Sequence, residues 1–178
     1  MNSEITTERL RIPPATVAEL DALISGNRDE FQRLLGASAS DPLEPPPETG
    51  DVLEWFRGTL ANDPAIAPWF FRWIIDKQER RLVGSAGFSG YPDDEGVVLF
   101  GYGIYPADEG KGYATEAAAA LVRWALTQES VRKVRATIPT WHIASQRVSA
   151  KARLTYRHDM PSDEFGTLQV WEVDRDTT

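Results

Sequence analysis

The chain has no cysteine and only two histidines among its 178 residues. Without cysteine it can form neither a disulfide scaffold nor a thiolate nucleophile, and two histidines are too few for a dedicated zinc centre. We therefore expect no resident metal. No apolar run approaches the length of a membrane span, and the start MNSEITTERLR lacks the basic-then-apolar layout of a signal peptide. We expect a cytoplasmic protein with no membrane partner.

The chain also has fewer positive than negative side chains. It contains 19 lysines and arginines and 27 aspartates and glutamates, which gives a formal net charge of -8. Nucleic acids and anionic membranes are held by long-range positive potential, so this balance excludes them as general partners. An anionic small ligand stays compatible if local donors hold it. The hydrophobic share of 42% is ordinary, and a chain of this length needs only one core. We predict a single domain over residues 1–178.

The first part of the chain reads as one short strand followed by helices. Residues 9–12 precede two prolines and form the predicted strand. Apolar residues then recur with helical spacing over 17–35, with an interruption near Gly26 that indicates two helices. The proline-rich segment SASDPLEPPPE predicts a surface loop. The next segment, DVLEWFRGTL, predicts an amphipathic helix that Asp51 caps.

The second part of the chain alternates strands and helices. The predicted elements are strands 69–75, 82–88 and 97–105 in an antiparallel meander, helix 112–127, strand 133–138, helix 144–153 and a final strand pair ending at 168–173. The order strand, helix, strand over 97–138 predicts a parallel crossover. The expected fold class is therefore α/β (α+β), with a mixed, mostly antiparallel central sheet of about six to seven strands flanked by helices.

The most informative stretch, residues 101–127, reads GYGIYPADEGKGYATEAAAALVRWALT. An apolar strand leaves through a proline into a short turn, and an alanine-rich run with helical spacing follows. Gly110 and Gly112 flank Lys111 where this helix begins, so its first backbone N–H groups can face a ligand and its dipole adds positive potential. Phosphate is the natural ligand of such a turn. The alternative is a helix start with two permissive glycines and no ligand.

With these motifs the chain resembles the GNAT superfamily of N-acetyltransferases, and within it the branch of the ribosomal-protein alanine acetyltransferases. The resemblance is carried by TTERLRI, LVGSAGF, GYGIYPADEGKGYATEAAAALVRWAL and WHIASQRVSAKARL, and it covers most of the chain. It implies that the protein moves an acetyl group from acetyl-coenzyme A (acetyl-CoA) to a primary amine of a small molecule or a peptide N-terminus. It also implies direct attack in a ternary complex, which the lack of a cysteine nucleophile supports. A homodimer is compatible with this assignment.

The resemblance also assigns the cofactor site. In the superfamily the pyrophosphate of CoA rests on the turn, and the pantetheine arm runs beside the preceding strand. The matching positions in this chain, with two from the next helix, are Ile104, Tyr105, Glu109, Gly110, Lys111, Gly112, Tyr113, Ala114, Thr115, Ser145 and Lys151. Arg147 and Lys151 lie four residues apart on one helical face, where they can present positive charge to the phosphates or pair with surface carboxylates.

Two positions depart from the pattern of the superfamily. The turn opens with Glu109 where relatives usually carry Arg or Gln, so its negative charge is predicted to repel the pyrophosphate. Leu99 lies two residues before the Gly-Tyr pair of the strand, at a position where relatives often carry a glutamate base. These departures favour an alternative function, which is that of a non-catalytic CoA-binding or sensing protein with a degenerate active site.

Candidate catalytic groups lie on the strand and on the helix after residue 141. The transfer needs a base for the ammonium, a donor for the oxyanion and an acid for the thiolate. The resemblance places the oxyanion donor at the backbone N–H near Ile104 and makes Ser149, Ser145 and His142 the catalytic candidates. Alternatively, both serines are ordinary helix residues and His142 is a cap. The acidic turn 93–95 or a chain of waters could instead provide the base.

Overall fold

The computed structural model describes residues 3–177, whose strands form one mixed sheet. The strands are β1 (Ile5–Thr6), β2 (Leu10–Ile12), β3 (Phe71–Asp76), β4 (Arg81–Phe88), β5 (Val97–Ile104), β6 (Lys133–Pro139), β7 (Thr155–Ser162) and β8 (Gly166–Asp174). They lie in the order β1-β2-β3-β4-β5-β6-β8-β7, and only β5 and β6 pair in parallel. The predicted fold class is confirmed. The sheet has eight strands rather than six or seven because the two-residue β1 is too short to leave a periodic signal.

Five α-helices flank the sheet within the described residues, namely α1 (Val17–Ile24), α2 (Arg28–Leu35), α3 (Leu53–Asn62), α4 (Tyr113–Leu126) and α5 (Ile143–Lys151). The predicted break near Gly26 is confirmed, since Gly26 separates α1 from α2 with a φ of 71°. The prediction that Asp51 caps α3 is wrong, because Asp51 lies inside a 3-10 turn and α3 begins only at Leu53. Across residues 3–177 no helix is both long and apolar enough to span a bilayer.

The sheet is covered on both faces, because successive side chains of a strand point to opposite sides. On β3, Ile74 packs into the core beneath α4, while Trp73 packs into the core beneath α1 to α3. Helix α4 buries a face rich in alanine, with Ala117 and Ala118 no more than 1% exposed. Small side chains let the helix lie close to the sheet, which holds the N-terminus of α4 beside the end of β5.

The sheet opens between its two parallel strands. β5 pairs with β6 only where Val97 to Leu99 face Lys133 to Arg135. Beyond that point β5 stays paired with β4 as far as Ile104, and β6 stays paired with β8 as far as Pro139. The two strands therefore separate, because β5 stays hydrogen-bonded to β4 and β6 stays hydrogen-bonded to β8. The result is a gap between the ends of β5 and β6, and α4 begins beside it.

Candidate active site

A cavity of about 690 Å³ lies at the gap between β5 and β6. Residues 100–104 of β5, the start of α4, residues 136–139 of β6 and one face of α5 line it. Pro47 and Glu48, from the proline-rich loop, and Phe165 and Leu168, from the β7–β8 hairpin, line it as well. The cavity can therefore be reached from the helices α4 and α5 and from the loops around the end of the gap.

Backbone donors of β5 point into the gap. The N–H of Tyr105 donates to the Val83 carbonyl at 3.0 Å, and the Leu99 carbonyl accepts from the Ser89 N–H at 3.0 Å. Backbone groups alternate in direction along a strand, so these two residues face β4 while Tyr102 and Ile104 face the gap. The Ile104 N–H therefore faces the gap, whereas the Tyr105 N–H is turned towards β4, and the role of the Ile104 N–H as oxyanion donor stays a prediction.

The turn before α4 presents a second group of donors. Gly110 and Gly112 have φ values of 75° and 84°, which is the left-handed region where glycine is strongly favoured. Within residues 3–177 no hydrogen bond takes up the backbone N–H groups of residues 110–115. The dipole of the 14-residue helix α4 adds positive potential at the same place. The turn is therefore built to bind an anion.

Asp108 braces the turn from inside the fold. Its carboxylate is 2% exposed and accepts two hydrogen bonds from Arg81, at 2.6 and 2.7 Å, and one from the Lys111 ammonium at 2.8 Å. The bond from Arg81 is the main reason why the pKa of Asp108 is lowered. The Lys111 ammonium is consequently paired with Asp108, and Lys111 is not among the residues that line the cavity.

A second brace ties the turn to the N-terminal strands. The Glu116 carboxylate, in the first turn of α4, accepts from the Arg9 side chain at 2.7 Å and from the Arg9 backbone N–H at 2.9 Å. Arg9 also donates to the Lys111 carbonyl at 2.9 Å. The Tyr113 hydroxyl donates to Asp76 at 2.7 Å, and this bond raises the pKa of Tyr113 to about 12. The turn is thus held in shape by contacts outside the cavity.

Two hydroxyls that line the cavity have no hydrogen-bond partner among the described residues. They are the hydroxyls of Ser149, which is 1% exposed, and of Tyr102. Burial raises the pKa of Tyr102, although the neighbouring Ser145 side chain opposes the rise. Sequence reasoning missed Tyr102, but the period-two alternation of GYGI would have placed it beside Ile104 on the face of the strand that α4 covers.

His142 and Ser145 form the start of α5. His142 is the N-cap, and its Nδ1 accepts from the Ser145 backbone N–H at 3.3 Å. The ring therefore carries its proton on Nε2, which lies 3.5 Å from the Ser145 hydroxyl. The His142 ring also stacks on Trp141, with centroids 5.5 Å apart. These contacts match the alternative in which His142 is a cap, because the nitrogen without a proton is already in use.

The charges around the cavity are distributed unevenly. Arg147 and Lys151 line it from α5, and neither forms an ion pair within residues 3–177. Glu109 lines it from the turn and likewise has no ion pair in the described part of the chain. Among the described residues, two free cations and the helix dipole therefore share the cavity with two free carboxylates, Glu109 on the turn and Glu48 on the proline-rich loop. The alternative in which Arg147 and Lys151 pair with surface carboxylates has no support in these contacts.

The structure brings together most of the residues that the sequence assigned to the site. The assigned residues that line the cavity are Ile104, Glu109, Gly110, Gly112, Tyr113, Ala114, Thr115, His142, Ser145, Ser149 and Lys151. Tyr105 does not line the cavity, and its hydroxyl donates to the Glu44 carbonyl at 2.8 Å. Burial raises the pKa of the Tyr105 hydroxyl. The acidic turn 93–95 lies before the start of β5, at the other end of that strand. No three metal-binding side chains cluster in the part of the chain that is described.

An opened sheet beside an anion-binding helix start is the arrangement expected of an N-acyltransferase that takes its acyl group from coenzyme A. A family model described as the acetyltransferase (GNAT) domain matches residues 9–155 of the chain. The chain therefore belongs to the GNAT acetyltransferase family and is an N-acetyltransferase, as the resemblance implied. Enzymes of this family use acyl-CoA as donor.

Known relatives agree with this assignment. The uncharacterized N-acetyltransferase YjdG of Bacillus subtilis (strain 168) is 28% identical over 155 residues, which cover 86% of this chain and 90% of the relative. The structure of RimL, a ribosomal L7/L12 alpha-N-protein acetyltransferase in complex with coenzyme A, has a TM-score of 0.70 at 15% identity and covers 98% of this chain and 99% of its own. The ribosomal-protein-S5-alanine acetyltransferase of Vibrio fischeri has a TM-score of 0.69 at 12% identity, with 97% of each chain covered. At 12–15% identity, the TM-scores of these two solved structures show a shared fold and nothing further.

Proposed function

We propose that the protein transfers an acetyl group from acetyl-CoA to a primary amine by direct attack in a ternary complex. The observation that carries this proposal is the pair of unpartnered hydroxyls, on Ser149 and Tyr102, that line the cavity where the Ile104 N–H faces the gap. A buried hydroxyl without a partner costs about 1–3 kcal/mol, so a polar ligand group in the gap would offset that cost. The thioester end of acetyl-CoA is a group of suitable size and polarity.

The rest of the cavity fits the remainder of that molecule. The backbone N–H groups of residues 110–115 would hold the diphosphate, with Arg147 and Lys151 facing its phosphates from α5. The pantetheine arm carries amides, and the backbone groups of Tyr102 and Ile104 that face the gap can pair with them. Glu109 is the one group of the turn that works against an anion.

Each catalytic role has a candidate among these residues. Bound acetyl-CoA supplies an activated acyl carbon, to which the amine nitrogen bonds while the C–S bond breaks. The Ile104 N–H would donate to the acyl oxygen as negative charge develops there. Tyr102 would give its proton to the departing sulfur. A phenol is protonated at neutral pH and is a better acid than a serine hydroxyl. Burial raises the pKa of Tyr102, so its hydroxyl keeps its proton until the thiolate develops. Ser149 serves as a second donor beside it.

The proton released by the attacking amine needs a separate route. Leu99 cannot accept a proton, and the acidic turn 93–95 lies at the far end of β5. We therefore assign proton release to water at the open side of the cavity. The chain has no cysteine to carry the acyl group, so the order of reaction is expected to be ternary complex rather than ping-pong. An acyl-enzyme detected by mass spectrometry would overturn this order.

The experiment that tests the proposal combines calorimetry with acetyl-CoA and a thiol-release assay on a panel of primary amines. We expect micromolar binding and turnover that Tyr102→Phe lowers by about 10²-fold, in the range of a lost general acid. Ser149→Ala is the matched variant on α5 and should lower turnover less. Acetyl-CoA affinity should stay close to that of the wild type in both variants. Equal turnover in wild type and Tyr102→Phe would remove the tyrosine from the mechanism.

A second function is favoured by two specific residues. Leu99 and Glu109 occupy positions where a base and a cationic or neutral side chain would support catalysis, and they favour a non-catalytic CoA-binding or sensing protein. The same experiment separates the two functions, since binding of acetyl-CoA without turnover on any amine supports the sensor. Absence of binding to any acyl-CoA would contradict both.

A further inference from the structure

One side of the cavity is formed by a proline-rich strap, residues 41–49, that packs against β5. On β5, Tyr102 and Ile104 point towards α4, so Gly101 and Gly103 face the opposite side. A Cβ placed on Gly103 would lie 3.0 Å from the Pro47 carbonyl, which shows that the strap lies directly on this face. A Cβ on Gly101 would meet nothing within 4 Å. The strand thus leaves open space next to the strap.

Glu48 lies on the strap in a position that suits glycine better than glutamate. The Thr49 N–H donates to the Pro46 carbonyl at 3.2 Å, so Pro47 and Glu48 are the central residues of a turn. Glu48 has a φ of 64°, in the left-handed region that glycine or asparagine normally fills. The Thr49 hydroxyl, which donates to the Pro46 carbonyl at 2.6 Å, closes the turn further. This turn therefore keeps Glu48 at the cavity although the positive φ of Glu48 strains the backbone.

The Glu48 carboxylate, like that of Glu109 on the turn before α4, has no neutralising partner in the described part of the chain. Within residues 3–177 it takes part in no ion pair or side-chain hydrogen bond, and it lines the cavity. By comparison, Asp108 lines the same cavity but is held by Arg81 and Lys111. Glu48 is thus the negative charge that remains available on the strap side.

Two exposed aromatic side chains also line the cavity. Trp141 is 66% exposed and Phe165 is 42% exposed, and both line the cavity. Their loops are joined by a hydrogen bond from the Thr140 N–H to the Thr167 carbonyl at 3.1 Å. Large aromatic side chains left exposed at a cavity are typical of a surface that receives an apolar ligand group. The cavity therefore offers the free carboxylate of Glu48 together with two exposed aromatic side chains.

We propose that Glu48 binds the ammonium group of the acceptor and that Trp141 and Phe165 receive its apolar body, so that the acceptors are alkylamines or arylalkylamines without a carboxylate nearby. This assignment rests on the proposed acetyltransferase function, in which the bound ammonium gives up a proton to water before its nitrogen attacks the acyl carbon. It makes Glu48 a residue that determines specificity, and it predicts rejection of zwitterionic amino acids, whose carboxylate would face Glu48.

The test compares four acceptors, namely phenethylamine, n-butylamine, phenylalaninamide and free phenylalanine, in the thiol-release assay. We expect phenethylamine to have a lower KM than n-butylamine, and phenylalaninamide to exceed phenylalanine in kcat/KM by at least about tenfold. Glu48→Gln should raise the KM for phenethylamine by about 5- to 10-fold while the Kd of acetyl-CoA stays unchanged. Glu48→Lys should reverse the preference between phenylalaninamide and phenylalanine.

Two controls separate folding and net charge from recognition. Glu48→Gly removes the carboxylate and relieves the positive φ, so it should melt no lower than the wild type and still show the raised KM. Glu129→Gln changes the same charge at an exposed residue beyond the end of α4 and should change neither constant. An unchanged KM in Glu48→Gln and Glu48→Gly would overturn the inference.

Calorimetry with phenethylamine on the CoA complex keeps the two proposals distinct. If no amine is turned over, the proposed function fails, yet amine binding that is lost in Glu48→Gln still supports an acceptor site at the strap. If amines are turned over with equal KM in wild type and Glu48→Gln, the acetyltransferase stands and Glu48 is not the recognition residue.

Discussion

Replacing Glu116 by glutamine tests whether the anion-binding turn is shaped before its ligand arrives. Glu116 accepts hydrogen bonds from the Thr7 hydroxyl, the Arg9 backbone N–H and the Arg9 guanidinium. Arg9 in turn donates to the Lys111 carbonyl inside the turn. Glutamine has nearly the same shape and keeps one acceptor, but it loses the charge that holds Arg9. The variant therefore loosens the turn without altering a group that lines the cavity.

The expected magnitude follows from how exposed the pair is. The side chains of Arg9 and Glu116 are 43% and 20% exposed, so solvent screens the ion pair and its own contribution is below about 1 kcal/mol. Weakening the bonds from the Thr7 hydroxyl and the Arg9 backbone adds a similar amount, for a total of about 1–2 kcal/mol. For a chain of this size that lowers the melting temperature by about 3–6 °C. The Kd of acetyl-CoA should rise by about 3- to 10-fold, because binding must then order the turn.

Acid titration gives the same prediction an independent readout. Burial works to raise the pKa of Glu116, but the hydrogen bonds from Thr7 and Arg9 outweigh it, and the pKa lies below its ordinary value of 4.5. A carboxylate with a lowered folded-state pKa stabilises the fold above that ordinary value and ceases to do so as the pH falls through the lower one. The difference in melting temperature between wild type and Glu116→Gln should therefore be full at pH 7 and shrink below about pH 4.5.

Calorimetry with acetyl-CoA and thermal melts of wild type, Glu116→Gln and the control Glu129→Gln measure these effects. The control carries the same loss of charge at an exposed position and should behave as the wild type. A lower melting temperature with unchanged acetyl-CoA affinity would refute the reasoning, because it would make the brace a contribution to the fold alone.

Two further predictions concern the two sides of the cavity. Glu109→Gln should lower the Kd of acetyl-CoA by about 2- to 5-fold, because it removes a free carboxylate near the anion-binding turn, where solvent screens the repulsion. Calorimetry with Glu129→Gln as the control measures this change. An unchanged Kd would mean that the backbone donors dominate binding. Gly101→Val should fold normally, because a Cβ there meets nothing within 4 Å. It should raise the KM for amines by about tenfold or more while leaving the Kd of acetyl-CoA unchanged, and an unaltered KM would show that acceptors do not approach along this face.

The sequence predicts the strand, turn and helix that line one side of the cavity far better than the proline-rich strap that lines another side. The strand, turn and helix of residues 101–127 are local in sequence, so periodicity and two glycines suffice to place Ile104 beside Gly110 and Gly112. Glu48 joins the site only because the strap crosses β5, and no local pattern reports such a crossing. The pairing of Lys111 with Asp108 is local, since Asp108 lies three residues before it, but the distant Arg81 that completes this ion cluster could not be predicted from a local pattern.

Leu99 acquires a different meaning once the faces of β5 are known. Like Gly101 and Gly103 it points away from α4, to the face on which the strap lies, and it is 36% exposed. A glutamate at that position would bring a carboxylate to the acceptor side of the gap. Here the strap brings Glu48 to that same side. Arg147 and Lys151 on α5 suit an anionic donor and Glu48 on the strap suits a cationic amine, while Glu109 beside the turn opposes this separation of charge. The missing glutamate of the strand is therefore weaker evidence for a degenerate site than the sequence alone suggests.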